Sequence, residues 1–179
     1  MNSIRMLLLK FRYLLISLAS GESKIRLLRK TGMKIGKDCQ ISAKNFSTEP
    51  FLIEIGDHVA IAAGTSFITH DGSVWILRES IPEIDVFGEI KVGNNTFIGS
   101  NSLILPGTRI GANCVIGAGS VVRGVIPDNS VAIGNPAKVV FKTSMLRELL
   151  LKNKHKLMTK KLGLREKREA LLKHFNYQG

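Results

Sequence analysis

The segment from Val92 to Pro127 divides into sixes: VGNNTF, IGSNSL, ILPGTR, IGANCV, IGAGSV and VRGVIP. An aliphatic residue opens every unit, at Val92, Ile98, Ile104, Ile110, Ile116 and Val122. Glycine follows it at Gly93, Gly99, Gly111 and Gly117. The fifth position is small at Thr96, Ser102, Thr108, Cys114 and Ser120, with Ile126 as the exception. A period of six matches neither the 3.6 of a helix nor the alternation of a flat strand. It fits a chain that turns a corner every six residues and stacks on itself. The aliphatic residue then points into the bore, the small residue fits beside it, and glycine is expected to supply tight-corner backbone angles. Three units close one triangular coil, which predicts Val92 on Ile110, Ile98 on Ile116 and Ile104 on Val122.

The same period runs back toward the N-terminus. It begins at Ile35 with IGKDCQ and ISAKNF, and returns at Ile55 with IGDHVA, IAAGTS and FITHDG. Two interruptions stand out. Residues 47–54 break the period by two and carry Pro50. Residues 73–91, SVWILRESIPEIDVFGEIK, are too long for a corner and hold the single tryptophan, Trp75. Long insertions in a solenoid gather on one face and form its binding surface.

The flanks have a different character. Residues 4–19 are apolar with Arg5, Lys10 and Arg12 set among them, which reads as a helix. Uninterrupted apolar runs such as Tyr13–Ile16 are far too short to span a bilayer. The broken apolar region and the absence of a small-residue cleavage site argue against a signal peptide. This helix packs on the coil or a neighbouring subunit, or lies in a membrane interface. From Phe141 the spacing of Leu146, Leu149, Leu150 and Leu157 is helical, with Gly163 between two helices. The first of these is expected to cap the open end of the coil. The organisation is therefore a basic helical segment 1–32, a coil domain 33–141 with an extruded loop 73–91, and basic helices 142–179.

Charge follows that division. Residues 1–37 hold nine Lys/Arg and one acid, residues 142–179 eleven and three, and residues 38–141 six and ten. The coil is mildly acidic and both flanks are strongly basic. Basic flanks suit an anionic partner such as phospholipid, a phosphorylated sugar carrier or an acidic polysaccharide, or simply face water. No nucleic-acid recognition motif and no interleaving of basic and aromatic residues is present, so nucleic acid is not expected. Cys39 and Cys114 both occupy the small fifth position and read as core fillers, with no disulfide or metal site, as suits a reducing cytoplasm.

Of the four histidines, His155 and His174 sit in basic helical sequence and His58 at an outward mid-repeat position. His70 differs: it lies in THDG, where the coil wall meets the long insertion. Its position alone makes it a candidate base. Asp71 follows it, but neighbours on a strand face opposite ways. Glu49, Glu54 and Asp85 lie in irregular segments and are open alternatives for orienting the ring.

The six-residue repeat and the IGNPAKVV ending over residues 33–141 resemble the hexapeptide-repeat acyltransferases, of the sugar and polysaccharide O-acetyltransferase type. The resemblance implies a left-handed parallel β-helix. The usual right-handed preference of parallel crossovers would have argued otherwise. It implies that His70, the histidine before the extruded loop, is the general base. A neutral imidazole takes the proton of a sugar hydroxyl as it attacks the thioester of acetyl-CoA, with no covalent enzyme intermediate and no metal. VGNNTFIGSNS matches a stretch in which an aromatic residue lines the acceptor pocket, here Phe97, and in which Ser100 lies near the thioester. IGAGSVV matches the segment along the pantetheine arm, with Ala118 and Gly119 allowing close approach and Arg123 meeting a CoA phosphate. Lys138 of GNPAK is implied near the nucleotide end. Trp75 and Asp85 of the extruded loop are expected to contact the acceptor. The resemblance further implies a homotrimer with active sites between subunits.

The expected activity is acetyl transfer from acetyl-CoA to a sugar hydroxyl, of a cell-surface polysaccharide or its precursor, by a cytoplasmic protein in peripheral contact with the membrane's inner face. Alternatives are N-acetylation of an amino sugar, which needs less help from a base, and a non-enzymatic trimeric scaffold. Serine acetyltransferases carry a long N-terminal helical domain that this pattern does not match. A related carbonic anhydrase would need three histidines around zinc, and only His58 and His70 fall in the coils.

Overall fold

The computed structural model describes residues 14–177. The chain separates into two compact units at Thr143 and Ser144. In the first, strands that are two or three residues long up to Ile126 and joined by tight corners wind into a triangular prism with three parallel sheets as walls. The first wall stacks Lys34–Ile35, Ile53–Ile55, Ile90–Val92, Arg109–Ile110 and Val125–Ile126. The second stacks Gln40–Ile41, Ala60–Ile61, Phe97–Ile98, Val115–Ile116 and Ser130–Gly134. The third stacks Ser66–Phe67, Leu103–Ile104 and Val121–Val122.

The register is the one the period predicts: Val92 pairs with Ile110, Ile98 with Ile116 and Ile104 with Val122. Ile98, Ile104, Ile116 and Val122 are fully buried. Each such side chain removed from water contributes about 1.5–3 kcal/mol. The small fifth position does more than fit a narrow bore. Thr96 Oγ1 donates to Gly111 O at 3.0 Å, Ser102 Oγ to Gly117 O at 3.1 Å and Thr108 Oγ1 to Val122 O at 3.1 Å. A buried hydroxyl thereby satisfies a corner carbonyl of the next coil. Cys39 and Cys114 do the same with their thiols, 3.2 Å from Gly56 O and Pro127 O. Burial pushes the Cys114 thiol up.

Two expectations are corrected. The second-position glycines are not there for unusual backbone angles: none of Gly93, Gly99, Gly111 and Gly117 has a positive φ. At Gly93 a Cβ would stand 2.6 Å from the backbone N of Ala112 on the next coil, so close stacking excludes a side chain. The left-handed corner residue comes two positions later, as Asp38, His58, Asn95, Asn101 and Asn113, with φ between 52° and 58°, and Asn129 (φ 57°) takes the same conformation after Pro127. The side chains of His58, Asn95, Asn113 and Asn129 form a ladder: His58 Nδ1 to Asn95 Oδ1 at 2.8 Å, Asn95 to Asn113 at 2.8 Å, and Asn113 to Asn129 at 3.1 Å. Second, Ile126 is not a failed small position. Its strand pairs with Ile110, so the corner from Val122 is two residues short, turning at Gly124 (φ 74°). Ile126 opens the next unit and is buried.

Residues 14–18 are helical, and a helix follows at Gly21–Arg29. Ile16, Ile25, Leu28 and Met33 join the buried core at the N-terminal end. Arg29 donates to Ile35 O and Gly36 O at 3.1 and 2.7 Å, meeting carbonyls at the start of the coil. Residues 4–13 of the expected helix lie outside the described residues. At the other end Ala137–Lys142 folds back antiparallel on Ser130–Gly134, and Ala137 packs against the core. The second unit holds helix Leu164–His174 with Gly163 as its N-cap, and the helix Thr143–Lys152 leads into it. Neither helix has a buried residue.

Replacing Gly93 by Ala is expected to destabilise the folded protein by about 1–3 kcal/mol, because the new methyl meets backbone. Gly72→Ala, with open space around it, is expected to stay within about 0.5 kcal/mol. Urea denaturation of the two variants measures both.

Candidate active site

Both interruptions of the repeat leave the prism at the same corner, one coil apart. Asn45 bridges to Ser66 at the start of the third wall, and Phe46 stacks on Phe67 with ring centroids 5.3 Å apart. Ser47 then turns with φ 57°, and Pro50 starts a short 3-10 turn through Leu52. This carries Glu49 beneath the strand end that bears Thr69 and His70. The second insertion is pinched at its neck. His70 and Phe87 form an antiparallel bridge, Asp71 N donates to Val86 O at 2.9 Å, and Gly88 N donates to Thr69 O at 2.8 Å. Beyond the neck, the Asp71 carboxylate accepts from Ser73 N at 2.9 Å and caps the 3-10 helix Gly72–Leu77.

A cavity of about 360 Å³ opens between the two insertions, lined by Thr48, Glu49, His70, Trp75, Arg78, Asp85 and Phe87 among others. His70 Nδ1 lies 3.0 Å from Glu49 Oε2. A carboxylate only accepts, so Nδ1 carries the proton and the Nε2 lone pair is left available as a base. Thr69 Oγ1, fully buried, donates to the same Glu49 oxygen at 2.7 Å, and Ser47 Oγ stands 3.3 Å from Nδ1. Phe87 meets the imidazole edge-on, with centroids 6.5 Å apart. Burial works against the Glu49 charge. The hydrogen bonds from Thr48, Thr69 and His70 outweigh it and hold the carboxyl below its ordinary range.

The four carboxylates that the sequence leaves open are now separated. Glu49 holds the ring. Asp71 turns to its own cap, which lowers its pKa through the Ser73 backbone N–H, with a smaller contribution from Arg123. Glu54 faces Lys34 at 3.8 Å on the first wall. Asp85 pairs with Arg78, whose Nη1 also donates to Pro82 O at 2.7 Å, so the pair braces the extruded loop. Trp75, four-fifths exposed, stands at the cavity edge.

The remaining candidates lie elsewhere on the same chain, and none lines this cavity. Phe97, half exposed, sits on the outer face of the second wall between Ala60 and Val115. Ser100 and Gly119 meet at the corner between the second and third walls, where Gly119 N donates to Ser100 O at 2.8 Å, and Ala118 precedes Gly119 there. Arg123 follows the third wall and is exposed. Lys138 is exposed on the returning strand. Residues of the site that the sequence did not single out include Thr69, which is buried and bonds Glu49, and Arg78 and Phe87, which line the cavity. The only signal for them is position, beside His70 or inside the extruded loop. His58, in the corner ladder, has a structural partner. No group of three or more metal-ligating side chains forms among the described residues.

Comparison with known proteins agrees with this architecture. Residues 89–124 match the family model of the bacterial transferase hexapeptide (six repeats). The chain is 48% identical over 151 residues to the protein CapG of Staphylococcus aureus, covering 83% of this chain and 87% of that one. Among solved structures it resembles a maltose O-acetyltransferase from Clostridium difficile at 29% identity and a TM-score of 0.55, covering 74% and 83% of the two chains. A hexapeptide-repeat acetyltransferase of Vibrio cholerae, 23% identical with a TM-score of 0.60 over 74% and 87% of the chains, shares the fold. The chain belongs to the hexapeptide-repeat acyltransferase family, and its coil is the left-handed parallel β-helix of that family. It is an acetyltransferase.

The depressed Glu49 pKa fixes the sign of a pH effect. A carboxylate lowered in the folded state adds stability that is present above its unfolded pKa and lost as pH falls through the lower folded value. The stability advantage of wild type over Glu49→Gln is therefore expected to be constant near neutrality and to shrink on acidification below the ordinary carboxylate range. Denaturation midpoints of both proteins across that range check it.

Proposed function

We propose that the protein transfers an acetyl group from acetyl-CoA to a sugar hydroxyl, with His70 as general base and Glu49 as the residue that positions it. The observation that carries this reading is the Glu49–His70 hydrogen bond of 3.0 Å at the mouth of a cavity walled by an exposed tryptophan. The balance of the reaction is simple. The sugar oxygen attacks the thioester carbonyl as Nε2 of His70 takes its proton. The C–O bond of the new ester forms, the C–S bond breaks, and the proton passes from the imidazolium to the departing CoA sulfur. The Glu49 carboxylate steadies the imidazolium in between, as a buried acid does for other catalytic histidines. Trp75 offers an apolar face to a sugar ring. The acceptor in this reading is a hydroxyl of a cell-surface polysaccharide or its precursor, and the reaction is cytoplasmic.

The cofactor would lie along Ser100, Ala118 and Gly119, with Arg123 and Lys138 reaching its phosphates and Phe97 near the acceptor. Ser100, Ala118 and Gly119 sit at the corner between the second and third walls, whereas His70 and Arg123 both follow the third wall at the next corner. The separation of His70 from the first three supports a homotrimer whose sites form between neighbouring subunits. The outer faces of the walls support it too. The first wall shows Lys34, Glu54, Lys91 and Arg109 in one row. The second shows Ala60, Phe97 and Val115, and the third Ser66, Leu103 and Val121. A closed ring needs two different surfaces per subunit, and apart from Gln40 and Ser66 at their starts the outer rows of the second and third walls are apolar.

Turnover of acetyl-CoA with a panel of sugars tests the proposal. His70→Ala is expected to lower kcat by about 10²–10⁴-fold with acetyl-CoA affinity unchanged. An unaffected kcat would remove His70 from the chemistry. Calorimetry supplies the second arm. Arg123→Ala is expected to weaken acetyl-CoA binding by about tenfold, as loss of one charge-assisted phosphate contact does.

A further inference from the structure

The second unit, Ser144–Gly179, carries ten Lys/Arg against three Asp/Glu. Its helices Thr143–Lys152 and Leu164–His174 are 10 and 11 residues long, and no residue of either is buried. Helices of that length are marginal in water without a packed face. An apolar face nevertheless exists and is open. Met145 and Leu149, one turn apart, are 54% and 51% exposed. Leu164 and Leu171 recur at seven residues and so share one side of the helix, 92% and 37% exposed. Phe175, on the same line, stacks on the His155 ring with centroids 5.1 Å apart. Met158, in the connection between the helices, is 91% exposed among Lys154, Lys156, Lys160 and Lys161.

The partner must therefore be apolar and anionic at once. A second copy of this unit meets the first requirement and fails the second, because each copy brings a net charge of +7. Nucleic acid meets the second and leaves methionine and leucine side chains in water. An anionic bilayer meets both: lysine and arginine stay at the headgroups while the apolar stripe enters the acyl boundary. No helix among the described residues is long and apolar enough to cross a membrane, so the mode is interfacial. We propose that the C-terminal unit is a membrane-docking module that lies on a bilayer rich in anionic phospholipid and holds the enzyme there. The inference rests on charge and exposure in this unit and is independent of the acetyl-transfer reading.

Co-sedimentation of the full chain with vesicles tests it. Vesicles of phosphatidylcholine with about one-third phosphatidylglycerol are compared with phosphatidylcholine alone, at low and high salt. Binding is expected to the anionic vesicles only and to weaken with salt. Lys160→Glu/Lys161→Glu is expected to reduce partitioning by about 25-fold or more, since two basic residues are lost and each near such a surface is worth roughly fivefold. Met158→Ser/Leu164→Ser, at two nearly fully exposed positions where folding is not at stake, is also expected to reduce it severalfold with oligomeric mass unchanged. Three results would overturn the proposal. The first is no binding to anionic vesicles. The second is full binding by the serine variant, which would mean charge adsorption alone. The third is a change of oligomeric mass in that variant, which would mean that a second copy covers the face.

Discussion

Each coil of this protein lies directly on the next, at the spacing of neighbouring β-strands, about 4.8 Å. The rest of the structure depends on that constraint. It puts like on like, so an isoleucine in one coil stands over an isoleucine in the next, as Ile98 does over Ile116, and both are fully buried. It excludes a Cβ at Gly93, which would stand 2.6 Å from the backbone of the next coil. It brings hydroxyls such as that of Ser102 within reach of carbonyls one coil on, and it stacks the left-handed corner residues Asn95, Asn113 and Asn129 into a hydrogen-bonded ladder.

The same constraint builds the site. A stacked coil leaves little room for chemistry along its walls, so the two interruptions of the period become the places where polar groups can gather. Because they follow the same wall one coil apart, stacking brings them face to face. Glu49 from the lower one and His70 from the base of the upper one meet at 3.0 Å although twenty-one positions separate them. Thr69 is fully buried, and its hydroxyl fixes the carboxylate that fixes the imidazole. A chain of three side chains thus sets the tautomer of the base, and the Arg78–Asp85 pair braces the loop that walls the cavity.

Much of this was legible in the sequence. The period alone gave the coil, its register and the inward residues, because a packed bore imposes a strict pattern on every sixth residue. His70 was legible because it stands where the pattern stops. The partner of His70 was not, because Glu49 sits inside an irregular stretch whose path no period describes. Asp71, its neighbour in sequence, turned out to cap a helix instead. Ile126 was misread for a related reason: the corner after Val122 is two residues short, and a fixed count of six cannot see a shortened corner. The reason for the second-position glycines was also hidden, since close approach between coils is a property of the stack and not of a single turn. The flanks obey no such pattern, and there composition and exposure speak in place of register.

The most direct test of base catalysis by His70 is the pH profile of kcat/KM for acetyl transfer, measured on wild type and on His70→Ala. A catalytic imidazole predicts a wild-type rate that falls on the acid side with a single protonation, and a residual His70→Ala rate that lacks this limb. The same acid limb in both proteins, or a His70→Ala rate equal to wild type, would contradict it.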